Sequence, residues 1–208
     1  MTLTSLASLC RVASAAACTL ALTGAAACTG GSESPEDPPA PGGPTGGSPA
    51  VAMQVRVAQV SGKLAKSKRS DLERKVGEAI SAYFDAAFLS GDYPGADFDE
   101  AFDAFTNGAA KKAVRDRELL THAKLAKSTE SVTAKKKLVS LSVLSPNDSA
   151  VGVTAHIRLV YLADRGKAGA TRVTTSGRLL LSHRKSGGWE IFGYDLARST
   201  APGAGGNR

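Results

Sequence analysis

The stretch VGVTAHIRLVYLA, residues 151–163, alternates with period two. Val151, Val153, Ala155, Ile157, Leu159 and Tyr161 fall on one side of an extended chain, and Gly152, Thr154, His156 and Arg158 on the other. Alternation sustained over ten or more residues predicts a strand with one face buried and one facing water. Similar runs flank it. Residues 137–144 end in the turn signal Ser145-Pro146-Asn147-Asp148, and 171–184 end in Lys185-Ser186-Gly187-Gly188. In the latter run Val173, Thr175, Leu179 and Leu181 share a face, while Arg172, Arg178 and Arg184 share the other. Residues 189–196 carry apolar side chains on both faces, so this last strand is expected to be more buried. Short connections between successive strands predict an antiparallel meander over 135–198. Upstream, Met53-Gln54-Val55-Arg56-Val57 alternates as a short first strand that Ser61-Gly62 breaks.

Helical signals occupy the region between. Ser70-Asp71-Leu72-Glu73 has the form of a capping box. Behind it Leu72, Val76, Ile80, Tyr83, Phe84 and Ala87 make one apolar stripe, which ends at Ser90-Gly91-Asp92. A second, short helix is expected from Asp97, with Phe98, Ala101, Phe102 and Phe105 on one side, and a third over 109–122. Helices gathered before strands predict an α+β domain: N-terminal helices packed on a curved antiparallel sheet of four to five strands. Five of the six Phe residues lie between Phe84 and Phe105. They form either the layer that packs on the sheet or the wall of an apolar pocket. Tyr83, Phe84, Asp85, Phe98, Phe102, Phe105 and Tyr161 are the candidate lining of such a cavity.

The 208-residue chain is expected to divide into a leader (1–27), a linker (28–50), one domain (51–199) and a disordered tail (200–208). The formal charge is +7. Between residues 51 and 200 there are 24 Lys and Arg against 16 Asp and Glu, so the excess of +8 sits in the domain. All three cysteines, Cys10, Cys18 and Cys28, lie in the first 28 residues. A disulfide framework, a thiol nucleophile and a Cys-based zinc site are thereby excluded from the domain.

The leader has one basic residue, Arg11, ahead of an apolar run over 12–27 that is too short and Ala-rich for a comfortable membrane span. It closes as Leu22-Thr23-Gly24-Ala25-Ala26-Ala27-Cys28, followed by a Pro-, Gly- and Ser-rich stretch. Small residues directly before a cysteine, and a tether after it, resemble the processing site of exported actinobacterial-type lipoproteins. In that family the cysteine is lipidated and becomes the first residue. Ala25 stands where the family usually carries Leu. The resemblance implies Cys28 as the lipidation site, export, and anchoring to the outer face of the cell membrane. The alternative is plain A-x-A cleavage and secretion.

No chemical motif stands out. His122, His156 and His183 have no metal-ligand spacing with one another. Ser186-Gly187-Gly188 is a hairpin loop and no nucleophile elbow, and phosphate-cradling and dinucleotide fingerprints are missing, so no cofactor is expected. Asp92, Asp97, Asp99, Glu100 and Asp103 lack the spacing of a calcium loop, and no metal site is expected. The element order resembles the nuclear-transport-factor-like and ketosteroid-isomerase-like cone folds, over 63–198 and in topology only. Enzymes of that superfamily place a carboxylate and a Tyr or His inside the cone. Here Asp85, Tyr83, Tyr161, Tyr194 and Asp195 are eligible, and none is fixed to a family position. The expected function is a non-catalytic, membrane-tethered extracytoplasmic module that binds a partner protein or an apolar ligand. The alternative is a small cone-fold enzyme or lipid-handling protein with a Tyr/Asp pair in its cavity. A third idea is that the basic sheet face meets anionic headgroups or a wall polymer. The expected partners are the membrane, through the lipid anchor, and that protein or ligand; nucleic acid is not expected.

Overall fold

The computed structural model describes residues 51–203 apart from Lys185, and there the alternation of 151–163 becomes strand β3 (Gly152–Asp164). The leader, the linker with Cys28 and the last five residues lie outside the described residues. β3 is the middle of a five-stranded sheet in the order β1-β2-β3-β4-β5. The other strands are β1 (Gln54–Gly62), β2 (Ser131–Ser145), β4 (Ala170–His183) and β5 (Trp189–Pro202). Strands β2 to β5 form the expected antiparallel meander, and β1 lies parallel to β2 at one edge. The fold is α+β with an open, mixed sheet.

Period two governs burial. Val139, Leu141, Val143, Val153, Ala155, Ile157, Leu159, Tyr161, Val173, Leu179 and Leu181 all point to the helices and are buried. Their neighbours at the even positions face away. Two expectations need correcting. β5 is an edge strand, and Phe192, Asp195 and Ala197 are exposed on it, because no further strand or helix among the described residues covers that side. β5 also runs past residue 199: Thr200, Ala201 and Pro202 pair with Val173, Arg172 and Thr171.

The helices differ more. α1 spans Lys66–Phe84 and continues as a π-helical turn over Asp85–Leu89 before stopping at Ser90. Ser70 is not its cap; the helix starts four residues earlier, behind Ala65. The free Ala65 N–H donates to Asp148 Oδ1 at 2.7 Å, from the β2–β3 turn, and Lys68 Nζ reaches Asp148 Oδ2 at 2.7 Å. A carboxylate at a helix N-terminus meets both the free donors and the positive end of the helix dipole. Glu73 does not cap either: its Oε1 accepts from Val57 N–H of β1 at 2.6 Å. The expected second helix is only a 3-10 turn, Asp99–Phe102. The expected third is broken into α2 (Asn107–Ala113), α3 (Arg117–Leu120) and α4 (Ala123–Ala126).

β4 meets β5 most closely at Gly177, whose φ is +142°. A Cβ there would stand 2.1 Å from the Asp195 carbonyl oxygen, backbone against backbone. Gly177→Ala should therefore cost about 2 kcal/mol or more in a denaturant titration. Gly152→Ala, whose new Cβ meets nothing nearer than 3.9 Å, should stay within about 1 kcal/mol of the parent. Equal stability of Gly177→Ala and the parent would refute this account of the β4–β5 contact.

Candidate functional site

The space between helices and sheet is the first place to look. Tyr83, Phe84, Phe98, Phe102, Phe105 and Tyr161 are all there, and all are buried. They pack on one another instead of bordering a void. The Tyr83 ring meets Phe88 at 5.6 Å and Phe105 at 5.2 Å, both edge-on, and Phe88 meets Tyr161 at 6.0 Å. Edge-to-face pairs of this kind add ~0.5–1.5 kcal/mol each beyond area burial. The expected cavity lining is thus a filled layer. Of the seven candidates, only Phe98 borders a described cleft, a hollow of about 330 Å³ with Asp92, Asp97 and Glu100 at its rim. Asp85 sits on the domain surface, half-exposed, with Lys137 Nζ at 3.1 Å.

Inside the layer lies a polar chain that the sequence reading passed over. His122 is fully buried. Thr129 Oγ1 donates to the Leu125 carbonyl at 2.9 Å, which leaves it to accept from His122 Nε2–H, also at 2.9 Å. Nδ1 then accepts from the Tyr161 hydroxyl at 2.9 Å. Each donor has one acceptor, so the imidazole is neutral and held in one tautomer. Burial, and next the charge of Arg198, lower its pKa to about 4. Burial also pushes the Tyr83 and Tyr161 phenols well above their usual value. The Tyr83 hydroxyl donates to the Leu120 carbonyl at 2.8 Å.

Arg198 completes this seam. Its guanidinium donates to the carbonyls of Glu118, Leu119 and Thr121 and lies 5.6 Å from the centre of the Phe88 ring. Burial lowers its pKa from the normal arginine value. The buried hydroxyl of Thr175, its register partner on β4, has no hydrogen-bond partner among the described residues.

The eligible Tyr/Asp pairs do not form in the interior. Asp195 lies outside on β5 and binds Arg178 at 2.5 Å. The pair that does form is Tyr194 with Asp116, 2.7 Å apart, and the carboxylate is exposed. Burial, then the Asp116 carboxylate, raise the Tyr194 pKa to about 12, which fits a phenol that stays protonated and donates. Among the described residues, no three of His, Cys, Asp and Glu come together to hold a metal ion. None of the described helices is long and apolar enough to cross a membrane.

Among the described residues, no helix or strand covers the opposite face of the sheet. A trough of about 430 Å³ runs over β2, bordered by Gln54 and Arg56 on β1, Leu138 and Ser140 on β2, and His156 and Arg158 on β3. Arg158, Arg172 and Arg178 lie on this face as the alternation predicts. Arg184 does not belong to it: it follows β4 in the turn and meets Glu190 Oε2 at 3.5 Å. Arg56 and Lys136 join the face instead. The parity of Gln54-Val55-Arg56-Val57 carried the signal for Arg56, whereas Lys136 is placed by a register shift between Ala134 and Lys136 that no sequence pattern announces.

His122 supplies a test of the filled interior. Its pKa in the fold is below the unfolded value of 6.5, so the unfolded chain binds the extra proton. The stability this contributes is present above pH 6.5 and is lost as pH falls toward 4. The loss should reach at most about 3 kcal/mol. His122→Gln should flatten the stability-against-pH curve in that window relative to the parent. Parallel curves for the two proteins would show that His122 does not titrate as described. Tyr161→Phe leaves Nδ1 buried without a donor and should cost about 1–3 kcal/mol at pH 7. For comparison with known proteins, no protein-family model, no curated protein and no solved structure matches the chain.

Proposed function

We propose that this chain is an exported lipoprotein, tethered by acylated Cys28, whose cone-like α+β domain is a non-catalytic binding module. The observation that carries the non-catalytic part is the Tyr161–His122–Thr129 chain: the one buried histidine has both ring nitrogens committed to neighbours. A general base needs a free acceptor within reach of a substrate proton, and this imidazole offers none. The aromatic rings around it fill the volume in which an apolar ligand would sit. The carboxylates that would serve a Tyr/Asp mechanism stand at the surface beside Lys137 and Arg178. Binding is therefore assigned to the outside of the domain.

The tethering part rests on the sequence around Cys28. After cleavage this would be the sole cysteine of the mature chain, and an unpaired thiol at the start of an exported protein is otherwise unusual. Two or more acyl chains on it would anchor the domain stably, where a single chain binds marginally. Metabolic labelling with a fatty acid tests this. The parent should incorporate label and fractionate with membranes, and Cys28→Ala should lose the label. Label retained at the parental level in Cys28→Ala would sink the assignment.

A further inference from the structure

The uncovered sheet face combines features that the tether alone does not explain, and we infer that it docks flat on an anionic lipid bilayer. The occupant is taken from the tethered reading above; the surface stands on its own geometry. Arg56, Lys136, Arg158 and Arg172 all project from this face and are exposed. None of the four has a carboxylate within 4.0 Å among the described residues. The carboxylates on the same side do not cancel them. Asp195 is bound to Arg178 and Glu190 to Arg184, while Asp164 lies one row from Arg172 without forming an ion pair with it and away from the trough.

Around the trough the register brings the cations together. Arg56 and His156 stand on either side of Ser140, in one row across β1, β2 and β3, and Arg158 is in the next row beside Leu138. Neighbouring strands are ~4.8 Å apart, so the two arginines rise from strands about 10 Å apart, on either side of Leu138 and Ser140. Arg172 extends the charge to the other end of β4. Such a face complements a plane of phosphates better than a single small anion, because Arg172 lies far from the trough on the other side of β3.

A second feature separates a bilayer from a soluble polyanion. Leu144 is 53% exposed and Phe192 is 50% exposed. Both lie at the end of the sheet marked by the β2–β3 turn: Leu144 pairs with Gly152, and Phe192 is the unpaired residue of the β4–β5 bulge. Apolar side chains beside a basic field suit the headgroup–acyl boundary, where rings and aliphatic groups insert while arginines meet phosphates. A soluble polymer would gain nothing from them.

The test uses the full chain carrying Cys28→Ala, so that no acyl chain contributes and the leader is common to every sample. Co-sedimentation is measured with vesicles of phosphatidylcholine mixed with phosphatidylglycerol, and with phosphatidylcholine alone. The mixed vesicles should bind more tightly, and the difference should shrink as salt is raised. Arg56→Gln, Arg158→Gln and Arg172→Gln combined should weaken binding to the mixed vesicles about a hundredfold. Lys111→Gln, Lys112→Gln and Lys124→Gln combined remove the same charge from the helical side and should change it by no more than about threefold. Phe192→Ser alone, in the same Cys28→Ala chain, should also weaken it. Equal losses for the two triple variants, or equal binding to neutral and anionic vesicles, overturn the inference. So does retention on inorganic polyphosphate without retention on vesicles, which would assign the face to a soluble polyanion. Because Cys28 is already replaced, these outcomes are independent of whether it is acylated.

Discussion

Four consecutive backbone carbonyls, from Glu118 to Thr121, decide how the helical half of this domain can be built. Three belong to α3 and the fourth to Thr121, which follows it; a four-residue helix is too short to satisfy its own last turn. Arg198 takes the carbonyls of Glu118, Leu119 and Thr121, and Tyr83 takes that of Leu120. The next N–H, of His122, donates to the Ala87 carbonyl at 2.8 Å. Every bond in this set comes from a different part of the chain: β5, the end of α1 and the π-helical turn. A segment with little helix of its own is thereby ordered through borrowed partners. The Leu120 carbonyl is buried, and left without Tyr83 it would cost on the order of 1–3 kcal/mol.

The same seam explains the chemistry of the interior. Arg198 must enter from the edge strand to reach those carbonyls, and its charge then lies near His122, Tyr83 and Tyr161. Burial first, and then this positive charge, disfavour a second proton on the imidazole, so the residue that holds the helices also helps to keep the histidine neutral. The Tyr161 and Thr129 hydroxyls then find the partner each needs. Structure and electrostatics here are one arrangement; among the described residues the only buried side-chain polar atoms without a partner are the Thr175 hydroxyl and the Nε atoms of Arg117, Arg165 and Arg198.

The strands were legible because their signal is local. Val151 to Ala163 spells its two faces residue by residue, and the turns at Ser145–Asp148 and 185–188 bound the neighbours. β1 was visible too, although not its parallel pairing, since nothing in Gln54–Val57 names a partner 84 positions along the chain at Leu138. The helical region was read less well for a physical reason. Four-residue helices have no period to detect, and the true cap of α1 is Asp148, which is 83 residues from Ala65. Ser70 and Glu73 have the spacing of a capping box, but the apolar contacts of Leu64 and the trans carboxylate favoured an earlier start. Phe-rich spacing correctly marked the side chains that gather under the sheet. Whether they would line a space or fill it depends on the rings that approach from Tyr83 and Tyr161, a matter of volume that a list of residues does not contain.

The period-two division of the sheet has a consequence for change over time. Residues at odd positions of β3 and β4 are locked into packing and cannot vary without loss of stability. Ser140, Thr154, Thr174 and Ser176 on the other side touch no helix, and substitutions at such open sites usually shift stability by less than about 0.5 kcal/mol. The two faces of one strand are thus under separate constraints. Surface chemistry on the open face can be rewritten by mutation while the scaffold beneath it stays the same, one residue in every two being free to drift.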